Sequence, residues 1–316
     1  MTVTPPENAV MPDDFDPETD HLSVERTESG LVVVTLNYPE RRNAMSGPMT
    51  AAWGRLAAAL KVDPSVRAVV ITGAGTAFCS GGDTGWIGGD PDATVDELRT
   101  KMMAFYRTWL SMRDVPVPVI AAINGAAVGA GACIALSADI RIGSENAKFT
   151  VPFLKLGIHP GMATTYLLPE VVGVAAARDL LFTGRVVGAQ RMLELGLISE
   201  LLPAEGFVDA ARALGESVAG NAPIAARLTK AALLRGGMDS IEECVQWEAV
   251  AQPVTMATAD LLLPQGVDMA SRQNHNGISM RIVRQYDINN DRMPCRVDVL
   301  YCYAAILPVM AARLWG

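Results

Sequence analysis

The sequence predicts an α/β fold, because short runs of branched apolar residues alternate with segments of helical periodicity from residue 23 to about residue 164. Strands that alternate with helices pair in parallel, since a crossover connection must return the chain to the same end of the sheet. Of the 316 residues, 50% are hydrophobic and 19% are charged, so the chain is long and apolar enough to bury a substantial core.

The first predicted elements lie between residues 31 and 73. A run of branched residues at 31–37 predicts a strand, and Ser46 and Pro48 then mark the start of a helix. Apolar side chains at helical spacing form one face of that helix, namely Met49, Trp53, Leu56 and Leu60. A second apolar run at 67–73 predicts the next strand.

The same alternation continues towards the C-terminus. The remaining predicted elements, in chain order, are a helix from about Val95 to Met112, a strand at 118–123, a helix from about 132, strands at 139–144 and 147–152, and an almost wholly helical region from about Thr164 to about Thr258.

The two ends of the chain differ in composition from the rest. Residues 1–22 are rich in proline and acidic residues and contain no lysine or arginine, so we expect a disordered acidic leader that is not a secretory signal. Residues 261–316 contain no lysine and no glutamate, and their periodicity is weak. This atypical tail is explained either by a genuine extension or by a shifted reading frame in the source gene.

Composition excludes several function classes. The formal net charge of −8 leaves no broad basic surface for a nucleic acid. The longest uncharged stretch, residues 115–138, is interrupted by prolines and glycines, so we expect no membrane span. The five cysteines (Cys79, Cys133, Cys244, Cys295 and Cys302) are odd in number and irregularly spaced. They predict reduced thiols in a cytoplasmic protein and no metal site.

Two glycine-rich loops, at residues 73–84 and 124–131, each follow an apolar strand and precede a helix. A dinucleotide fingerprint would require glycine at the positions of Phe78 and Ile134, so a phosphate-binding role is not supported. Each loop can instead contribute one backbone N–H to a shared oxyanion hole. The spacing alone is equally compatible with two ordinary strand-to-helix turns.

At these loops the sequence resembles the enoyl-CoA hydratase/isomerase (crotonase) family. The resemblance is carried by AFCSGGD (77–83), INGAAVGAGACIALSADIRI (123–142) and AKFTVPFLKLGIHPG (147–161), and it extends over about residues 23–260. It implies a crotonase-like spiral of ββα repeats over 23–215, followed by a helical C-terminal region at 216–260 that forms trimers.

The resemblance also implies a ligand and the residues that bind it. The ligand is an acyl-CoA, with coenzyme A as part of the substrate and no other cofactor. The thioester oxygen would lie between the N–H groups of Gly82 and Ala130. Coenzyme A would lie along Arg42, Ala44, Ser80, Gly82, Asp83, Thr84 and Ala130. The assembly would be a homotrimer or a dimer of trimers.

The chain departs from the family at its acid/base positions. The family's hydratases carry two glutamates at the positions of Cys133 and Phe153, and several isomerases carry an acid at the position of Gly161. A thiol is a poor base for activating water, and a benzyl group transfers no proton. We therefore expect very low hydratase activity. His159 is a candidate general base, and a packed histidine bonded to the backbone is the alternative.

Two functions remain open on the sequence. The first is an enzyme of acyl-CoA and fatty-acid metabolism that uses the oxyanion hole for isomerisation, decarboxylation, thioester hydrolysis or C–C cleavage. The second is a non-catalytic or regulatory acyl-CoA-binding protein. Cys133 fits both, either as a thiol activated at a helix start or as a buried inert cysteine.

Overall fold

The structure is a computed structural model that describes residues 12–83, 92–234, 240–258, 269–275, 278–284 and 295–300. It divides into two compact units after Gly220. The strands of the first unit are β1 (Leu22–Arg26), β2 (Leu31–Leu36), β3 (Ala68–Gly73), β4 (Ala77–Cys79), β5 (Val119–Ile123), β6 (Ala126–Val128), β7 (Ile140–Ser144), β8 (Lys148–Thr150), β9 (Val187–Gly188) and β10 (Glu200–Leu202).

The first unit also contains six described α-helices and several single helical turns. The α-helices are α1 (Gly47–Val62), α2 (Val95–Leu110), α3 (Ala130–Ser137), α4 (Thr164–Thr183), α5 (Ala189–Glu194) and α6 (Phe207–Ala219). One-turn 3-10 helices lie at Pro12–Asp14, Pro39–Arg41, Ser111–Asp114 and Phe153–Leu156.

Successive strands enter two different sheets. One sheet has the order β1-β2-β3-β5-β7-β10, and the other has the order β4-β6-β8-β9. Apart from β1 and β9, which pair antiparallel with β2 and β8, the strands in both sheets run parallel. The consecutive pairs β3–β4, β5–β6 and β7–β8 therefore each place one strand in each sheet. A helix follows each pair before the chain returns to the larger sheet. This is the predicted spiral of ββα repeats, and the predicted α/β class is confirmed.

Helix α1 forms for the reasons that the sequence suggests. The Ser46 hydroxyl accepts a hydrogen bond from the N–H of Met49 and so caps the helix. The predicted apolar face is fully buried. Trp53 packs against Trp109 of α2 with 4.7 Å between ring centroids and 32° between ring planes, and its indole N–H donates to the Trp109 carbonyl. These contacts fix α2, which borders the site described below.

The larger sheet is covered on both faces. On β2, Val32 and Val34 point into the main core, whereas Leu31 and Val33 belong to a second cluster that α6 covers. An ideal Cβ on Gly215 of α6 would lie 2.7 Å from Val70 Cγ2, so glycine allows this close contact.

Several sequence-based expectations need correction. Residues 12–22 were assigned to a disordered leader, but they include a helical turn, and Phe15 is buried because it packs into the main core. Residues 1–11 lie outside the described residues. The expected boundary at 215 falls inside α6, which continues to Ala219. Strands β4 and β6 lie within the two predicted loops, since three residues are too few for a recognisable alternation.

The second unit begins with the predicted helices. Its helices are α7 (Pro223–Leu234) and α8 (Ile241–Thr258). Three further strands, β11 (Met269–His275), β12 (Ile278–Arg284) and β13 (Cys295–Leu300), form an antiparallel sheet within the segment whose composition is atypical. Among the helices that the structure describes, none has the length and hydropathy required to span a bilayer.

Candidate functional site

Two chain segments that the sequence assigns to coenzyme A lie side by side. The N–H of Ser80 donates to the Arg42 carbonyl at 3.0 Å, and the N–H of Met45 donates to the Gly81 carbonyl at 2.9 Å. Residues 45 and 82 also form an isolated parallel bridge. The predicted residues Arg42, Ala44, Ser80, Gly82 and Asp83 are thereby brought together, whereas Thr84 lies outside the described residues.

Asn43, which the sequence analysis overlooked, holds these segments in place. Its side chain is fully buried, and its Oδ1 accepts the N–H of Tyr38 at 2.9 Å. Its Nδ2 donates to the carbonyls of Ala74 and Ala77 at 2.9 and 2.8 Å. Because the Oδ1 and Nδ2 atoms of this buried amide are both hydrogen-bonded, the Asn43 side chain fixes the two loops relative to each other. The N-Y-P-E-R-R-N sequence at 37–43 gives no periodic signal for this role.

The two glycine-rich loops meet backbone to backbone. Gly81 has a positive φ of 97°, and an ideal Cβ on it would lie 2.8 Å from the Val128 carbonyl oxygen and 3.4 Å from the Ala130 nitrogen. An ideal Cβ on Gly131 would lie 2.3 Å from the Cys79 carbonyl oxygen. Only residues without a side chain permit this approach, and it brings the segment that contains Gly82 next to the start of α3.

The two predicted oxyanion-hole donors sit at this junction. Ala130 is the first residue of α3, so its N–H has no acceptor within the helix. Gly129, which precedes it, has a positive φ of 54°. No turn, loop or cap hydrogen bond from the N–H of Gly82 or Ala130 is found among the described residues. A backbone N–H at the start of a helix is a suitable donor to a developing negative charge, and the Gly81–Gly82 segment beside it can supply a second donor.

Cys133 lies one turn further along α3 and is fully buried. Its Sγ is 2.9 Å from the Thr164 hydroxyl and 3.2 Å from the Gly129 carbonyl oxygen. Burial raises the pKa of the Cys133 thiol to about 12. The thiol is therefore protonated at neutral pH, which argues against the activated thiol that a helix start could have produced.

Phe153, at the other position expected to hold a glutamate, is also buried. Its Cζ lies 4.0 Å from the place where a Cβ on Gly129 would be. An apolar ring thus faces the turn that leads into the oxyanion-hole helix.

His159 lies at the surface. Its side chain is exposed, and its Nδ1 lies 2.8 Å from the carbonyl oxygen of the adjacent Pro160. No hydrogen bond between the imidazole and Cys133 or Thr164 is found within the residues described. The alternative of a packed histidine is not supported either. The imidazole is bonded to the backbone, but it is exposed at the surface.

At Gly161, the third position at which the resemblance leads us to expect an acid, the space for a side chain is filled by Tyr106 of α2. An ideal Cβ on Gly161 would lie 2.3 Å from the Tyr106 hydroxyl oxygen. The Gly161 carbonyl accepts a close hydrogen bond from the Thr164 hydroxyl. No sequence signal marks Tyr106 or Thr164 for this site, since only the fold brings them next to Gly161.

The family model for enoyl-CoA hydratase/isomerase matches residues 26–274 of this chain. The chain belongs to the enoyl-CoA hydratase/isomerase family. The match reaches beyond residue 260, where the resemblance recognised in the sequence ends, and includes part of the segment with atypical composition.

Named members of this family show the range of its chemistry. The chain is 33% identical over 234 residues to the 1,2-epoxyphenylacetyl-CoA isomerase of Escherichia coli, covering 74% of this chain and 89% of that protein. It is 32% identical over 234 residues to the short-chain-enoyl-CoA hydratase of Clostridium acetobutylicum, covering 74% and 88%.

A solved structure supports the fold. The crystal structure of an enoyl-CoA hydratase from Bacillus anthracis superposes with a TM-score of 0.69 at 32% identity, covering 74% of this chain and 90% of that one. The crotonase-like spiral expected from the sequence is therefore confirmed.

Proposed function

We propose that this family member binds an acyl-CoA thioester and stabilises the thioester oxyanion with the N–H groups of Gly82 and Ala130. The observation that carries the proposal is the contact between the Gly81–Gly82 turn and the first residue of α3. Arg42, Ala44, Ser80 and Asp83 lie on the two segments that pair beside Gly82 and would contact coenzyme A. Preorganised donors of this kind stabilise an enolate or a tetrahedral oxyanion equally well.

Ordinary hydration is not the reaction that these side chains support. Activation of water requires a base whose pKa lies near the working pH. The Cys133 thiol has a pKa of about 12, and Phe153 has no ionisable group. The same two observations favour a second candidate function, in which the protein binds acyl-CoA without converting it.

We further propose that the protein acts in acyl-CoA metabolism in the cytoplasm as a homotrimer or a dimer of trimers. It would need no cofactor apart from the coenzyme A that its substrate carries. The net charge of −8 supports a small-molecule ligand rather than a nucleic acid.

Calorimetry with butyryl-CoA and an assay of crotonyl-CoA hydration test this proposal together. We expect butyryl-CoA to bind and crotonyl-CoA to be hydrated at least a hundredfold more slowly than by the Clostridium acetobutylicum enzyme measured in parallel; the loss of catalytic carboxylates typically costs about this factor or more. Hydration at the rate of that enzyme would contradict the account of the acid/base positions.

The double variant Cys133→Glu/Phe153→Glu is the matched gain-of-function control. It restores two carboxylates at the positions expected from the family, so we expect its hydration rate to exceed that of the unmodified protein. Binding without turnover of crotonyl-, acetoacetyl- or malonyl-CoA would favour the non-catalytic candidate. Failure of butyryl-CoA to bind would contradict both.

A further inference from the structure

The hydroxyl of Tyr106 takes the space that a side chain at position 161 would need. An ideal Cβ on Gly161 would lie 2.3 Å from the Tyr106 hydroxyl oxygen and 2.8 Å from Cζ. No side chain larger than glycine fits at 161 unless Tyr106 moves. The Tyr106 side chain and the lack of a side chain at Gly161 are therefore complementary in shape. The Tyr106 phenol lies where several relatives are expected to carry an acid.

The other two hydroxyl and thiol groups of this cluster already have partners. The Thr164 hydroxyl donates to the Gly161 carbonyl. The Cys133 thiol lies within hydrogen-bonding distance of the Gly129 carbonyl and of the Thr164 oxygen. Both hydrogens are thus used inside the protein. The Tyr106 side chain is only partly buried, and no hydrogen bond to its hydroxyl is found in the part of the chain that the structure describes.

The charge state of Tyr106 fits a donor rather than a base. Burial raises the pKa of the Tyr106 phenol, and the nearby Cys133 raises it further. The phenol consequently keeps its proton at neutral pH and offers one O–H bond.

The position of Tyr106 defines which part of a thioester it can reach. Cys133, which lies close enough to Tyr106 to act on it electrostatically, is three residues beyond Ala130 on α3, about one helical turn, roughly 5 Å, along the axis. A thioester whose oxygen lay at the Gly82 and Ala130 amides would therefore place the acyl atoms next to its carbonyl carbon towards Tyr106.

We infer that Tyr106 is a specificity-determining residue whose hydroxyl donates a hydrogen bond to an oxygen at C3 of the acyl group, so that the cleft prefers 3-oxoacyl thioesters over unsubstituted ones. This inference rests on the proposed function. A carbonyl oxygen at C3 accepts hydrogen bonds and donates none. The Tyr106 hydroxyl has one hydrogen to donate, so the two groups match. Sites built around a hydrogen bond reject analogues that lack the polar atom.

The test compares acetoacetyl-CoA with butyryl-CoA, which differ at C3 alone in a chain of equal length. Calorimetry would be done with the unmodified protein, with Tyr106→Phe, and with Tyr166→Phe as the control. Tyr166 is 62% exposed and packs under Arg113, with the guanidinium carbon 5.8 Å from the ring centroid. Both substitutions remove one hydroxyl and keep the ring.

We expect the unmodified protein and Tyr166→Phe to bind acetoacetyl-CoA about tenfold more tightly than butyryl-CoA. Tyr106→Phe should lose this preference and keep its affinity for butyryl-CoA within about twofold. A preference that survives in Tyr106→Phe, or equal binding of both thioesters by the unmodified protein, would overturn the inference and leave the proposed function standing.

Two further outcomes are decisive. If Tyr106→Phe weakens both thioesters equally, Tyr106 has a packing role and the inference is wrong. If neither thioester binds the unmodified protein, the proposed function fails and the inference fails with it.

Discussion

Cys133 and Phe153 show how single residues set the chemistry available to this fold. Both are buried beside the start of α3, close to the amides that would hold the thioester oxygen. Neither side chain takes up and returns protons at neutral pH, whereas the backbone donors do not depend on side chains. The oxyanion hole and the acid/base groups can therefore be lost independently.

The Cys133 thiol should be unreactive towards alkylating reagents. With a pKa of about 12, the thiolate fraction at pH 8 is roughly one in ten thousand, and the side chain is fully buried. We expect iodoacetamide at pH 8 to label the exposed Cys244 readily and Cys133 not at all, as measured by peptide mass spectrometry of the native protein.

Cys79 serves as an internal comparison in the same experiment. It is buried, and burial raises its pKa to about 12 as well, so it should stay unlabelled with Cys133. Labelling of Cys133 at the rate of Cys244 would show an accessible, activated thiol and would revive its role as a nucleophile.

At the residue scale, the sequence shows which chemistry a side chain lacks. It does not show which distant residue fills the space beside that position. The absence of carboxylates at Cys133, Phe153 and Gly161 follows directly from residue identity. The contact between Gly161 and Tyr106 does not, because the two lie far apart in the chain and only the packing of α2 against the core brings them together. His159 is placed at the surface by a loop geometry that no periodic pattern indicates.

At the scale of elements, the site depends on two strand-to-helix turns that touch through their backbones. The β6–α3 turn is held by a hydrogen bond from the Gly129 N–H to the Thr150 carbonyl at 2.9 Å. Asn124 ties the preceding segment to the other loop, donating to the Gly73 and Gly75 carbonyls at 2.8 and 3.0 Å. The resulting geometry is rigid, as an oxyanion hole requires.

Gly131→Ala should disrupt this contact. Its new Cβ would lie 2.3 Å from the Cys79 carbonyl oxygen and 2.7 Å from Cys79 Cβ, which forces the backbones apart. We expect the free energy of unfolding to fall by about 1–3 kcal/mol, as for other overpacked sites, and butyryl-CoA binding to weaken. Urea unfolding and calorimetry measure the two effects.

Gly47→Ala is the matched control, because Gly47 also lies in a helix and no atom is within 4 Å of its ideal Cβ. It should unfold at the same or a slightly higher urea concentration, since alanine favours helix over glycine. Equal effects of the two substitutions would contradict the proposed close contact.

Elements with strong local signals were predictable, and short ones were not. Helix α1 has a serine cap, a proline in the first turn and a regular apolar face, and each signal appears in the structure as expected. Strands β4 and β6 are three residues long and lie in glycine-rich segments, so their pairing is decided by the spiral rather than by local propensity.

At the scale of the whole molecule, the second unit leaves apolar side chains exposed on its helices. Leu233 is 72% exposed, Ile241 is 86% exposed and Val245 is 51% exposed. Clusters of exposed apolar residues are typical of surfaces that bind another chain. They support the proposal that α7 and α8 take part in trimer formation, which the sequence could suggest only through family resemblance.

The protein should be a trimer, or a dimer of trimers, of a 33.6 kDa chain. The variant Leu233→Lys/Val245→Lys places two charges on the exposed helical surface, and we expect it to shift the molar mass towards that of a monomer because buried unpaired charges are costly. Light scattering coupled to size-exclusion chromatography measures the mass.

Val62→Lys provides the control, since Val62 is 62% exposed at the end of α1 in the first unit. It should leave the assembly unchanged. An assembly that survives Leu233→Lys/Val245→Lys would place the subunit interface elsewhere.

The central claim is that the Gly82 and Ala130 amides polarise the carbonyl of a bound thioester, and the infrared stretch of that carbonyl measures it most directly. Butyryl-CoA labelled with carbon-13 at the thioester carbonyl isolates this band. Ala130→Pro removes one donor at a position where proline suits a helix, and Ala189→Pro, at the first residue of α5, is the control.

We predict that the labelled band shifts to lower frequency on binding to the unmodified protein and to Ala189→Pro, because hydrogen bonds weaken the C=O bond. Most of this shift should disappear in Ala130→Pro. A band at the frequency of free butyryl-CoA in the unmodified complex, or an undiminished shift in Ala130→Pro, would contradict the account.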